Sequence, residues 1–374
     1  MRQKLAIFVA HRNSLREGGG GQQICTNEYL RVLREIYESV EVLDYEHDQS
    51  LGHRLRLKLG WCSGYSPNWE RDLPARVARV AQKNDCPIFL NLNDLLPLGP
   101  LLRGILGTQQ KIVLLSHGLR SVEAFHHQRI GRLPGLTPSI ESRANVGRLL
   151  RDEGRYLSHF DLVVSLAPFE EEICRWLGAR RACWLPRIVE PNPIPWQPVG
   201  GRLGLIGTMN HAPNAEGVLR WLEALQPISP AGLRVRLISH SGDFCRYVAK
   251  HFPCVDYLGP LSNAEAQAEA GTWNAFVHPQ FCYAMGCSTK LATGLSWGLP
   301  CLTTPAGARG YRLATTAGVV VDGSCEDLAR ASVESAMAPC PRGLDLNAVR
   351  CPAEFVVAVF QSVLERSALT VPTR

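Results

Sequence analysis

No stretch of this 374-residue chain approaches the roughly 20 apolar residues that a membrane-spanning helix needs. Ala6–Ala10 is too short for the apolar core of a secretory leader, so none is expected, and the segment reads as a first strand. The 13 cysteines are odd in number and include no C-x-x-C pair. Cys282 and Cys287, the nearest couple, have no second pair to complete a zinc site. Free, mostly buried thiols in a cytoplasmic protein are therefore expected, with no metal and no disulfide framework. The G-x-G-x-x-G dinucleotide fingerprint is missing, and no internal repeat is visible. A dense basic stripe is missing too. The net charge is +6, and residues 1–190 carry 26 Lys and Arg against 21 Asp and Glu. That excess is too scattered for nucleic acid. It fits an anionic substrate or peripheral contact of the N-terminal half with the anionic inner face of a membrane.

What is present is a globular composition, 45% apolar and 20% charged, in a chain long enough for two cores. Apolar β-type runs alternate with helical patterns, the signature of parallel sheets with crossover helices. In the first half the strands read as Leu5–Ala10, Val40–Asp44, Pro87–Leu92, Lys111–Leu115 and Leu162–Ser165. Pro186–Pro198 holds five prolines in thirteen residues, a stiff connector. Beyond it the plan repeats, with strands at Leu203–Ile206, Leu233–Ser239, Val255–Leu258, Ala275–His278 and Gly318–Val321. The expected architecture is thus α/β, with two doubly wound Rossmann-like domains at 1–190 and 191–352. A final amphipathic helix in 353–374 returns to the first domain.

The most informative stretch is Gly286-Cys287-Ser288-Thr289-Lys290, which opens a short helix ended by Gly298-Leu299-Pro300. A helix N-terminus exposes unpaired N–H groups and the positive end of the helix dipole, which suits a phosphate. Ser288 and Thr289 add hydroxyl donors, and Lys290 adds a full charge. In the first half, Gly18–Gly21 lies between a strand and a helix, where backbone can approach a ligand closely. His117 follows the strand Lys111–Leu115 and points toward the same crevice. Segment 121–140 is polar and punctuated by Pro and Gly, so it reads as a mobile loop carrying His126 and His127. Trp61, Tyr65 and Trp69, in an irregular segment, either stack on sugar faces or form a satellite cluster beneath the loop.

These residues carry a resemblance. EGGGGQQICTNEYLRVL, KIVLLSHG, LLRDEGRYLSHFDLVVSLAPFEEEICRWLG, LIGTMNHAPNAEGVLRWL, VDYLGPLSNAEAQAEAGTWNAFVHP and TKLATGLSWGLPCLTTPAGARGY, in that order, resemble the retaining GT-B glycosyltransferases related to glycogen synthase and sucrose synthase, a family 4-like group. The likeness spans most of the chain. It implies a nucleotide-diphosphate sugar donor held mainly by the second domain and an acceptor held mainly by the first. The acceptor would be a carbohydrate, a lipid-linked glycan or a small molecule. Lys290 with the Cys287, Ser288 and Thr289 backbone would hold the pyrophosphate, and Gly20 and Gly21 would approach it. Thr208, Met209 and Asn210 would border the donor, and Leu258 and Gly259 the base. His117 would lie near the transferred sugar, with Trp61, Tyr65, His126 and His127 on the acceptor side. No metal or cofactor is implied, because lysine and helix dipole replace it.

The chain departs from the family in two places. Relatives often carry two glutamates eight positions apart around the loop, the second contacting the ribose; Met285 and Thr293 stand there. The basic pair after the first strand of the second domain is replaced by Met209, Asn210 and His211, leaving Lys290 and Arg309 as nearby cations. The replaced glutamates keep a second reading open, a nucleotide- or glycan-binding protein without turnover; a third, a nucleotide-sugar epimerase of the same fold, ranks below both because no clear carboxylate or histidine pair stands at the strand tips. An epimerase needs such a pair for proton transfer.

Overall fold

The structure, a computed structural model, describes residues 3–16, 20–47, 65, 67–137, 143–240, 242–313, 318–339 and 343–366. Twelve described strands form two six-stranded sheets in which every neighbouring pair is parallel. The first contains β1 (Gln3–His11), β2 (Tyr37–Tyr45), β3 (Ile88–Asn91), β4 (Ile112–Leu115), β5 (Leu162–Ser165) and β6 (Ala182–Trp184), in the order β2-β1-β3-β4-β5-β6. The second contains β7 (Arg202–Ile206), β8 (Arg234–Ile238), β9 (Val255–Gly259), β10 (Ala275–His278), β11 (Cys301–Thr303) and β12 (Val319–Val321), in the order β12-β11-β10-β7-β8-β9.

The central strands read as unbroken apolar runs because helices cover both faces of a parallel sheet. Ile7, Phe8 and Val9 register against Ile88, Phe89 and Leu90, and all six side chains are fully buried. Local signals fix the helix ends. Ser262 and Glu265 form a reciprocal capping box ahead of helix Asn263–Ala270. Ser288 caps helix Thr289–Ser296, and Gly298 follows it at φ +77°.

The chain passes between the two sheets twice. The proline-rich connector lies along the second sheet's domain, where Asn192 N–H donates to the Ser296 carbonyl (2.7 Å), Ile194 N–H to Trp297 (3.1 Å) and Gln197 N–H to Gly271 (2.8 Å). Helix Ala353–Arg366 packs on helix Gly21–Ile36 of the first sheet, with Phe360 edge-on to Phe89 at 6.1 Å. Val189 and Cys351, one on each crossing, form an antiparallel bridge with bonds of 2.9 and 3.0 Å. Among the described residues no helix is long and apolar enough to cross a membrane.

Two expectations are corrected. The segment read as a mobile loop at 121–140 contains helix Arg120–Ile130, and residues 138–140 lie outside the described residues. Its buried face is Ser121, Glu123, Ala124 and His127, while Phe125 is 52% exposed. Apolar periodicity cannot reveal a helix that turns its polar face inward. Strand β6 was not expected; at three residues on a sheet edge it offers almost no pattern.

Candidate functional site

In open parallel sheets, ligands bind beyond the carboxyl ends of the strands, where the strand order reverses. The order reverses between β1 and β3 in one sheet and between β7 and β10 in the other. The two carboxyl edges meet. A β-carbon on Gly118, just after β4, would collide with the Gly286 amide and the Met285 side chain; one on Gly286 would collide with the His117 carbonyl. Both glycines have positive φ, +120° and +65°, so any side chain there is doubly excluded. Glu170, on helix Pro168–Trp176 of the first half, accepts from Gly286 N–H at 2.8 Å. Helix Gly21–Ile36 starts opposite helix Thr289–Ser296, and a β-carbon on Gly21 would lie 3.3 Å from the Thr289 hydroxyl.

On the second-domain wall, Lys290 runs past Gly207 at the tip of β7. Burial, with Arg309 nearby, lowers its ammonium pKa to about 8. Arg309 is itself buried, donating to the carbonyls of Gly286 (2.7 Å) and Ala306 (2.5 Å). Among the described residues neither cation pairs with a carboxylate. His278, at the tip of β10, is held neutral down to about pH 3, chiefly by burial and then by Lys290 and Arg309. Its Nε2 and the Gln280 Oε1 are buried without a partner among the described residues. Lys290, His278, Gln280, Met209 and Asn214 line one small cavity between the strand tips. Ser288 accepts from Lys290 N–H at 3.3 Å and its carbonyl accepts from Tyr311 OH, whose oxygen also accepts from Ala292 N–H at 3.1 Å.

On the first-domain wall, Asn91 Nδ2 donates to Thr26 Oγ1 at 3.0 Å, which leaves Asn91 Oδ1 facing His117 Nε2 at 2.9 Å. His117 therefore carries its proton on Nε2 and keeps Nδ1 as an acceptor. Burial, with a smaller contribution from Arg187, holds its pKa at about 3. Behind it, the buried Arg187 guanidinium donates to Glu28 (2.6 Å) and to the Cys25 thiol (2.5 Å). Cys25 is also hydrogen-bonded to Cys287, and with Arg187 this holds its thiol below the ordinary range.

The structure thus brings Gly21, His117, Cys287, Ser288, Thr289 and Lys290 to the meeting edges. Gly20 lies just ahead of the helix. Met209 is 2% exposed and packs in the core, so its side chain is structural as well as cavity-lining. The Thr208 carbonyl holds Asn214 at 2.9 Å, and Asn210 is exposed. Leu258 and Gly259 end the edge strand β9, the latter at φ +75°. Thr293 Oγ1 lies 3.5 Å from the Thr289 carbonyl, one turn back along its own helix.

The acceptor-side expectations fare differently. Trp61 lies outside the described residues, as do Gly18 and Gly19. Tyr65 is buried, donates to Glu153 Oε1 at 2.6 Å and accepts from Arg120 N–H at 3.0 Å; it belongs to the core of the first domain. Trp69 is buried in the same cluster. His127 is buried against Glu123, and only half-buried His126 retains an unpartnered ring nitrogen, Nδ1. Sequence reasoning missed Glu123, Glu170 and His278. Of these, only His278 carried a signal, its place at the end of an apolar strand.

No family model matches the sequence, and no curated protein matches it. Solved structures do. The apo lipopolysaccharide outer core galactosyltransferase WaaB aligns at a TM-score of 0.57 and 11% identity, over 96% of this chain and 94% of that one. A glycosyltransferase from Rickettsia africae ESF-5 aligns at 0.57 and 11%, over 99% and 100%. Apo OtsA aligns at 0.55 and 12%, over 99% and 100%. With two parallel six-stranded sheets meeting at their carboxyl edges, these alignments show that the chain has the two-domain α/β GT-B fold of the glycosyltransferases.

Proposed function

We propose that this protein is a glycosyltransferase that moves a sugar from a nucleotide-diphosphate donor to an acceptor hydroxyl. The observation that carries the reading is the pair Lys290 and Arg309, one half-buried and one buried beside a strand-order switch point, neither in an ion pair with a carboxylate among the described residues. An unpaired buried charge is costly, so such an arrangement is made for an incoming anion. Facing helix N-termini at Gly21 and Thr289 add dipoles of the same sign. Together they suit a diphosphate whose leaving oxygen gains charge as the sugar departs, which is electrostatic catalysis without a metal at the diphosphate.

His117, neutral throughout the physiological range, is no proton donor to the leaving group. Its Nδ1 serves instead as an acceptor for a sugar or acceptor hydroxyl. Retention of anomeric configuration rests on the resemblance of the loop and strand-tip motifs. Thr293, with its hydroxyl turned to its own helix, contributes at most a weak ribose contact. The acceptor is a carbohydrate, a lipid-linked glycan or a small molecule.

Calorimetric titration with UDP, GDP, dTDP, ADP and CMP, then with the sugar conjugate of the best binder, tests the reading. One diphosphate should bind, and Lys290→Ala should cost about tenfold or more in affinity and orders of magnitude in turnover. Binding without any turnover, equally weakened in Lys290→Ala, would favour a nucleotide-binding protein. No binding would reject both.

A further inference from the structure

Glu123 and His127 stand one turn apart on helix Arg120–Ile130, so both side chains leave the same face. His211 reaches them from the other half of the molecule, in the loop after β7. Glu123 Oε1 lies 2.9 Å from His127 Nε2 and 2.6 Å from His211 Nε2. The three ligand-type atoms lie within 4.8 Å of one another, the one such group among the described residues. We propose that Glu123, His127 and His211 form a binding site for a divalent cation of the zinc type, which joins the two halves of the molecule.

The donor set is two imidazole nitrogens and one carboxylate oxygen, which suits zinc rather than magnesium or calcium. Around a tetrahedral ion with bonds of about 2.1 Å the ligand atoms stand roughly 3.4 Å apart. The present separations of 2.6 and 2.9 Å therefore need only a small outward shift. Both histidines present Nε2 to the carboxylate, and a metal takes the imidazole through that nitrogen when its lone pair is free. Glu123 Oε2 keeps the hydrogen bond it already accepts from Met285 N–H at 3.0 Å, which orients the carboxylate as an outer-shell partner would. Glu123 and His127 are buried, whereas the His211 side chain is 38% exposed, so the ion enters from the His211 side and water completes its coordination there. The site is independent of the donor reading, and its test does not depend on turnover.

The full chain, freed of metal by a chelator, is titrated with Zn2+ and separately with Mg2+ by calorimetry. One Zn2+ per chain should bind, and Mg2+ should not. His211→Gln and His127→Gln should each weaken Zn2+ by more than about 100-fold, since even outer-shell partners are worth 10–100-fold. Circular dichroism verifies that both variants fold, and His211, being half-exposed, is the safer of the two. Co2+ in place of Zn2+ should give the absorption of a four-coordinate nitrogen–oxygen site, without thiolate charge transfer. Zn2+ binding that survives both substitutions would place the ion on cysteines and overturn the proposal, as would the absence of stoichiometric binding.

Discussion

Gly21 and Thr289 each begin a helix, one in each half of the chain, and a β-carbon added to Gly21 would sit 3.3 Å from the Thr289 hydroxyl. Two helix N-termini thereby converge, with the Thr289 side chain closing on the bare Gly21 backbone. Gly21→Leu fills that space while remaining on the solvent-exposed first turn. We expect diphosphate affinity to fall by at least about tenfold, equivalent to about 1.4 kcal/mol. Stability should change by no more than about 0.5 kcal/mol, as for most surface substitutions. Calorimetry and a urea melt separate the two effects; unchanged affinity would remove the glycine loop from the binding site.

His117 and His278 give the fold a steep acid limb. Both ionise near pH 6.5 in an unfolded chain but only at about 3 in the folded one, because burial disfavours the imidazolium. Protons therefore favour the unfolded state, so this stability is complete above about pH 6.5 and drains away as pH falls toward 3. Each histidine contributes a slope of about 1.4 kcal/mol per pH unit within that window. In urea unfolding at pH 6 and 5, His278→Asn should lower the slope by about one proton. An unchanged slope would mean that His278 is charged in the fold.

Glu170 works in the opposite sense. Burial raises its carboxyl to about 7 against an ordinary value of 4.5, despite the hydrogen bond from Gly286. The unfolded chain loses this proton first, so stability is lost as pH rises from 4.5 through 7. Glu170→Gln removes the titration and keeps the shape. The variant should match the parent near pH 4.5 and exceed it at pH 8 by up to roughly 3 kcal/mol. Thermal melts at the two pH values suffice, and a variant less stable at both would show a carboxylate that stays charged.

The sheets were legible because their strands are continuous apolar runs, such as Ala6–Ala10 and Leu162–Ser165, which parallel sheets require. Ser262 and Gly298 marked helix ends through their own chemistry. Lys290 and His117 were legible because each sits beside a boundary, a helix start or a strand end, where polar residues in an apolar context stand out. Helix Arg120–Ile130 was not, since its buried face is polar and its aromatic Phe125 faces water. The same inversion hid the Glu123, His127 and His211 cluster. Its members are 88 residues apart at the widest, and only docking of the second domain brings them together. Tyr65 misled for a related reason: an aromatic in an irregular segment can serve a ligand or the core, and here Glu153 claims its hydroxyl.

The bridge between Val189 and Cys351 has a mechanical consequence. The two crossings are tied to each other by a pair of backbone hydrogen bonds of 2.9 and 3.0 Å. The connector beyond Val189 is fastened along the second sheet's domain, and the helix beyond Cys351 is fastened to the first. Sliding one domain past the other would shear this double stitch. Swinging about it leaves both bonds intact.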